Sequence, residues 1–275
     1  MVFGRKHGIQ IKSPAQIQKM RVAGLVVGRT LATLNEQVRA GVSTYDLDQI
    51  ARECIKAEGA ISSFLGYHGY PAVICASIND EVVHGIPSKD RVLKDGDIIS
   101  IDFGVHVDGW HGDSAITCFV GEVSAEARAL SDVTERSMWA GLAQAVAGNH
   151  LSDIGHHVEK VINRDGKWGI VRDYGGHGIG TAMHMEPHIL NFGQAGNGPV
   201  LEVGMSLAIE PMVTAGKHHV EVLDDDWTVT TRDGALASHW EHTVAITEEG
   251  PWVLTALDGG VAKLRELGLD VPDRD

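Results

Sequence analysis

The strongest constraint on this chain is that it carries the same ordered pattern twice. The segment VLKDGDIISID, ending at Asp102, shares its register with VLEVGMSLAIE, ending at Glu210, with valine, leucine, glycine and isoleucine in corresponding places. Ala40-Gly41 followed by Asp46-Leu47 matches Ala147-Gly148 followed by Asp153-Ile154, and a stop at Gly59 matches one at Gly166. GDSAIT around Asp113 matches EHTVAIT around Glu241, while His84 in HGIP and His184 in HMEP each precede a proline by three. A series that runs in order through helices, strands and acidic positions predicts two similar α-then-β halves, about residues 13–123 and 124–250, in an α+β fold. The halves should be related by a pseudo-two-fold axis, share one continuous central sheet and pack their helices on one side.

Ser13-Pro14 is a good N-cap followed by proline at the first helical position, and Ile17, Met20, Leu25, Leu31 and Leu34 suit a helix ending near Ala40-Gly41. A second helix is expected from Thr44 as N-cap to Gly59 as C-cap. FLGYHGYPAVICAS and NDEVVHGIP read as strand-and-loop segments that present side chains. Ser124 opens a third helical stretch reaching Ala147-Gly148, Ser152 caps a fourth that stops by Gly166, and Val261 to Leu269 reads as a short terminal helix.

Between the halves' helices lies ISIDFGVHVDGWHGD, Ile99 to Asp113, where an Asp-Gly step separates two alternating runs and signals a tight hairpin. If Asp108 and Gly109 form a two-residue loop, Gly104 lies opposite Asp113, and Asp102 points to the same face as Asp113. Diagonal neighbours of this kind have Cβ atoms about 7–8 Å apart at most, close enough to hold one cation. Alone, the pair would be two solvated acids beside a turn. The repeat changes that reading, because it brings Asp102, Asp113, Glu210 and Glu241 to face one another at the centre. Their combined charge could not remain ionised in a partly buried cleft without cations, and two divalent ions would neutralise it. His177, in the small-residue stretch GGHGIG, adds a nitrogen that suits transition metals better than magnesium or calcium. Two ions about 3.5–4 Å apart and bridged by carboxylates are an arrangement that activates water in hydrolases.

With these residues in place, the chain resembles the type I methionine aminopeptidases, in the short bacterial form, from about Ser13 to Trp252. SINDEVVHGIP, IDFGVHVDGWHGD, GGHGIG, MHMEP, AIEPMV and WEHT occur in that family's order. The resemblance implies the pita-bread fold, with a curved antiparallel sheet, as one catalytic domain over 1–275. It implies two divalent ions per chain, and the sequence does not choose among cobalt, manganese, iron, zinc and nickel. Asp102 and Asp113 would chelate one ion, and Asp113, His177, Glu210 and Glu241 the second, with Asp113 and Glu241 bridging. A hydroxide shared by the ions would attack the scissile carbonyl, with Glu210 accepting its proton. His84 and His184 would bind substrate and assist catalysis without ligating metal. Phe64, Tyr67, Tyr70, Cys75, Met183 and Trp227 would line the methionine pocket, and the initiator methionine of nascent polypeptides would be removed when the second residue is small. Partners implied are nascent N-termini and the ribosome, with the enzyme a monomer.

Four positions depart from the family pattern. Met185 stands where a second glutamate is common, and His239 where a glutamine is common two residues before Glu241; both bear on metal preference and affinity rather than on the reaction. Phe64 and Met183 replace an expected cysteine and phenylalanine and bear on pocket width. Two rival readings are an X-Pro or creatine-cleaving relative and a catalytically silent binding protein. The first would carry an additional N-terminal domain for which a helix starting at Ser13 leaves no room, and the second would have lost ligands that are present here. Of the other notable residues, His68 reads equally as a loop residue or a site residue. Cys75 reads as a buried small hydrophobe, His156-His157 and His218-His219 as surface pairs, and Asp224 to Asp226 as a solvated turn.

The remaining bounds come from composition. A formal charge of −14 argues against a specific nucleic-acid or anionic-membrane partner. Cys54, Cys75 and Cys118 lack a zinc-like spacing, which favours free thiols in a reducing compartment. No apolar run is long enough to span a bilayer, and the N-terminal MVFGRKHGIQIKSPAQ lacks the apolar stretch of a signal peptide. The expected location is the cytoplasm.

Overall fold

Ser13 opens α1 (Pro14–Gln37) with a reciprocal cap: its backbone N–H donates to Gln16 Oε1 at 2.8 Å, and its Oγ accepts from the Gln16 N–H at 3.4 Å. The structure, a computed structural model, describes residues 8–274, so the first residues of the stretch read as lacking a signal peptide, 1–7, lie outside it. Of the positions expected on the inner face of α1, Ile17, Met20, Leu31 and Leu34 are buried and Leu25 is half-buried. The helix ends short of Ala40-Gly41 because the backbone there is committed elsewhere. The Gly41 N–H donates to Leu93 O at 2.9 Å, and the Leu93 N–H donates to Val42 O at 2.9 Å.

Helix α2 (Thr44–Glu58) is capped by Ser43 rather than by Thr44, through the pair Asp46 N–H to Ser43 Oγ and Ser43 N–H to Asp46 Oδ2. The Thr44 hydroxyl is engaged with the backbone of Ser88, donating to its carbonyl and accepting from its N–H. Gly59, at φ 63°, closes the helix in the left-handed conformation that suits glycine. Ser124 caps α3 (Ala125–Leu142), which also stops short of Ala147-Gly148. The cause repeats that of the first half: Gly148 N–H donates to Leu201 O at 2.9 Å and Leu201 N–H to Asn149 O at 2.7 Å. Helix α4 (Leu151–Asp165) begins at His150, whose N–H donates to Asp153 Oδ2 at 2.8 Å. The expected cap, Ser152, instead accepts the Asn197 N–H on its Oγ. Helix α5 (Val261–Glu266) is shorter than expected, ending before Gly268, which turns the chain at φ 89°.

A nine-stranded sheet joins the two runs of helices. Its hairpin pairs Ile98–Val107 with Trp110–Phe119, with Val107 opposite Trp110 and Gly104 opposite Asp113 around the two-residue loop. Asp108 and Gly109 both have positive φ, as a type I′ turn requires. The strand Trp110–Phe119 then pairs with Glu241–Thr247, which pairs with Ser206–Ile209, which pairs with Gly176–Gly178; all these pairs are antiparallel. Helices α1 and α2 bury Val27, Leu34 and Leu47 with Ile99, Ile101 and Phe103 of the hairpin, while Met138 and Leu142 of α3 and Ile154 of α4 meet Leu207, Ile209 and Val244. Among the described residues, no helix is long and apolar enough to cross a membrane.

Helix α1 approaches the sheet and the C-terminal segment at contact distance. A Cβ on Gly24 would lie 2.2 Å from Leu254 O, and one on Gly112 would lie 2.9 Å from Gly24 N. Arg21, 2% exposed beside this crossing, donates to the carbonyls of Leu254, Ala256 and Leu257. Both neighbours of Gly24 are backbone and cannot rotate away, so Gly24→Ala should destabilise the fold by about 1–3 kcal/mol. Urea unfolding of the two proteins measures this, and an unchanged midpoint would contradict the close crossing.

Candidate metal centre

Register alone puts five chemistry-bearing side chains on one face of the sheet. Asp102 and Glu241 are both paired with Ala115, and Asp113 lies two residues from Ala115 on the same strand. His177 is paired with Ala208, two residues before Glu210. Gly104, opposite Asp113, leaves room for the carboxylate, since a Cβ there would lie 2.9 Å from Asp113 Oδ1. Thr243 fastens the seam by donating its hydroxyl to Asp113 O at 2.8 Å and accepting the Asp113 N–H. Asn191 donates to Glu210 O at 3.1 Å.

All five are buried, and their donor atoms converge. His177 Nε2 lies 3.8 Å from Asp113 Oδ2 and 3.5 Å from Glu210 Oε1. Donor atoms of Asp113, His177 and Glu241 all lie within 4.8 Å of one another. Asp102 Oδ1, Asp113 Oδ1 and Glu241 Oε1 have no hydrogen-bond partner. His177 Nδ1 sits 3.0 Å from Gly178 O, which can only accept, so Nδ1 carries the proton and Nε2 turns a lone pair toward the acids. Lone pair against carboxylates is repulsive unless a cation lies between them. Burial and mutual repulsion push the carboxyls of Asp102, Glu210 and Glu241 well above the usual range, and burial pushes Asp113 up to about 7. Burial also pushes His177 down to about 3, which keeps its imidazole neutral. Orphaned oxygens, a neutral nitrogen donor and excess negative charge are the donor set of a divalent cation that accepts nitrogen as well as oxygen.

The acids floor a cavity of ≈ 280 Å³. Phe64, Tyr67, Tyr70, Cys75, Met183 and Trp227 line it, as do His84 and His184. Phe64, Tyr70, Cys75 and Met183 form one buried apolar cluster with Trp227 against it. Trp227 is delivered by the exposed Asp224–Asp226 turn, where Asp225 Oδ1 accepts the N–H groups of Trp227 and Thr228. Tyr67 does more than line a wall, because its hydroxyl lies 2.8 Å from His184 Nδ1. His184 stacks near His177, with ring centroids 4.3 Å apart, while His84 sits edge-on to Trp227 at 5.9 Å. Burial pushes His84 down to about 4.

Val83, not singled out by the sequence, also lines the cavity, as does His68, which the sequence left between loop and site; His68 sits in the turn Tyr67–Gly69 at φ 47°. Of the two departures nearest the centre, Met185 pairs with Gly178 at the start of the strand Met185–Ile189 and does not line the cavity. His239 is different: it is 1% exposed and faces Glu210 and Glu241. Its position two residues before Glu241 was the available signal for that common face.

Residues 18–248 match Metallopeptidase family M24. A methionine aminopeptidase of Clostridium acetobutylicum is 51% identical over 247 residues, covering 90% of this chain and 98% of its own. Methionine aminopeptidase 1 of Mycobacterium tuberculosis is 52% identical over 249 residues, covering 89% and 94%. The crystal structure of the methionine aminopeptidase from Thermotoga maritima superposes with a TM-score of 0.89 at 39% identity, over 90% of this chain and 100% of that one. The expected curved antiparallel sheet with helices is therefore the fold observed.

The raised carboxyls set a pH dependence for the metal-stripped protein. An unfolded aspartate releases its proton near about 3.9, whereas folded Asp113 holds it up to about 7. Below both values the group contributes nothing to the difference between states, and its penalty grows as pH rises between them. Metal-stripped Asp113→Asn should therefore gain stability relative to stripped wild type as pH rises through that window. Paired thermal melts at both ends measure this, and a difference independent of pH would contradict the burial of an uncompensated acid.

Proposed function

The chain belongs to metallopeptidase family M24 and acts as a methionine aminopeptidase, and from that premise we propose that it removes the initiator methionine of nascent polypeptides whose second residue is small. The observation that carries the reading is a single cavity with buried acids and His177 as its floor and a wall of Phe64, Tyr70, Cys75, Met183 and Trp227. We assign Asp102 and Asp113 to one divalent ion, and Asp113, His177, Glu210 and Glu241 to a second, with Asp113 and Glu241 shared. When bound, such a pair supplies Lewis acidity and a hydroxide nucleophile near neutral pH, as bound water can fall from a pKa of about 15.7 to about 7.

The chain's own groups do the rest. Glu210 accepts the proton given up by the attacking water. A Tyr67 hydroxyl donating to His184 Nδ1 leaves the proton on Nε2, free to bind the oxyanion that develops from the scissile carbonyl. His84, neutral at physiological pH, contacts the substrate amide. A methionine side chain entering the pocket meets aromatic rings and the Cys75 and Met183 sulfurs; each thioether–aromatic contact is worth about 0.3–1.5 kcal/mol. Methionine should thus be preferred modestly over leucine and strongly over alanine, which underfills the space. The next residue must pass between the acids and the two histidines, which favours Gly, Ala, Ser, Thr, Pro or Val. The free α-amine docks near the acids.

We assign one catalytic unit over residues 1–275, with repeated halves at about 13–123 and 124–250. Three free cysteines support a reducing cytoplasm, and we assign a monomer that meets its substrates at the ribosome.

His184→Ala should keep its bound metal while turnover falls by about 10²–10⁴. Metal analysis beside steady-state kinetics tests this, and a variant that loses its metal or keeps full activity contradicts the assignment. Specificity is tested with peptides that hold methionine first and vary the second residue, with N-acetylated controls. Met-Ala should be cleaved far faster than Met-Lys and acetylated peptides not at all; comparable rates, or cleavage of blocked substrates, would sink the initiator-methionine reading.

A further inference from the structure

One ring beside the acids is left without a task by the chemistry above. Neither Nδ1 nor Nε2 of His239 has a hydrogen-bond partner, although the residue is 1% exposed. Its Nε2 lies 3.9 Å from Glu210 Oε2 and 4.0 Å from Glu241 Oε2, almost equidistant and just beyond hydrogen-bond range of both. The stalk that carries the ring is rigid. The His239 N–H donates to Ser100 Oγ at 3.1 Å and Thr117 Oγ1 at 3.2 Å, its carbonyl accepts from Thr117 Oγ1 at 2.9 Å, and its strand, Ala237–His239, pairs with Met212–Thr214. Leaving a buried ring nitrogen without a partner is costly, and the two glutamate oxygens that face Nε2 are placed to supply the contact.

His239 comes from a separate three-stranded sheet, through the strand Ala237–His239, rather than from the sheet face that carries the four acids and His177. It stands against the glutamates instead. Resting on the metallopeptidase reading above, we propose that His239 is a positioning residue of the centre, whose Nε2–H donates to the Oε2 atoms of Glu210 and Glu241 and holds both carboxylates in their metal-binding orientation. The donor must then be Nε2, and the acceptors are strongest when divalent ions keep both glutamates ionised. Removing a hydrogen bond to a metal ligand typically costs about 10–100-fold in affinity.

The test is calorimetric titration of metal-stripped protein with manganese(II), using wild type, His239→Leu and His239→Gln, followed by cobalt(II) absorption spectra of each. His239→Leu should bind about 10–100-fold more weakly, and His239→Gln, which keeps an N–H donor, should recover most of the loss. The cobalt spectra should share one band pattern, because no nitrogen leaves the ions. Equal affinities in all three proteins would reduce His239 to packing, and a changed cobalt spectrum in both variants would make it a direct ligand; either result overturns the proposal. Nitrogen-15 NMR of zinc-loaded wild type needs no variant: a proton on Nε2 supports the proposal and a proton on Nδ1 alone overturns it. Wild type that takes up no divalent ion would overturn the underlying metal reading, whereas normal wild-type uptake with an indifferent His239→Leu overturns only this inference.

Discussion

The structure depends on an electrostatic conflict held in place by a sheet. Four carboxyl groups and a histidine lone pair point into one small buried space, and several of their oxygens lack any protein partner. Among the described residues, the basic side chains that face them are the histidines His177 and His239, both kept neutral by burial. A fold that confines such a set must offset its repulsion with well-packed elements on the far face, and the apolar clusters joining α1, α2, α3 and α4 to the sheet provide that packing. The conflict is also the source of function, since a cation entering the space relieves the repulsion that the fold has built up.

Precision in this arrangement comes from backbone register more than from side-chain networks around the acids. Asp102, Ala115 and Glu241 lie side by side on three neighbouring strands, so the spacing between acids from different halves follows from strand spacing. Small residues keep the face clear: alanine at 115 and 208, glycine at 104. Side-chain bonds reach the backbones of the acids rather than their carboxylates, through Thr243 on Asp113 and Asn191 on Glu210.

Much of this was legible in the sequence because the chemistry-bearing positions recur in the two halves. Asp-Gly at 108–109 set the hairpin, and the hairpin set Gly104 against Asp113, as observed. Helix ends were read less well, for a reason visible at two residues. Thr44 and Ser152 are good caps in isolation, but their hydroxyls serve distant loops at Ser88 and Asn197, contacts that no local pattern announces. The repeat held the correct answer for the second: Ser43 and His150 occupy matching positions, each with an aspartate three residues on, and each forms an isolated bridge, to Val92 and Val200 respectively. The Tyr67 hydroxyl on His184 was likewise unreadable, because it joins segments far apart in the chain and depends on a tight turn with a positive φ at His68.

The seam between the halves has a mechanical side. Only Ala115 with Glu241 and Ser114 with His242 are register partners between the hairpin and the strand Glu241–Thr247. Asp113 belongs to the hairpin, while His177 and Glu241 come from the other half, so a cation held among these three would span this two-pair junction. Such a cation would be a rivet as well as a reagent. Loosening the joint and disarming the enzyme become one event, and a chain without its ion would be expected to breathe along that line, exposing both strand edges to proteases and to other copies of itself.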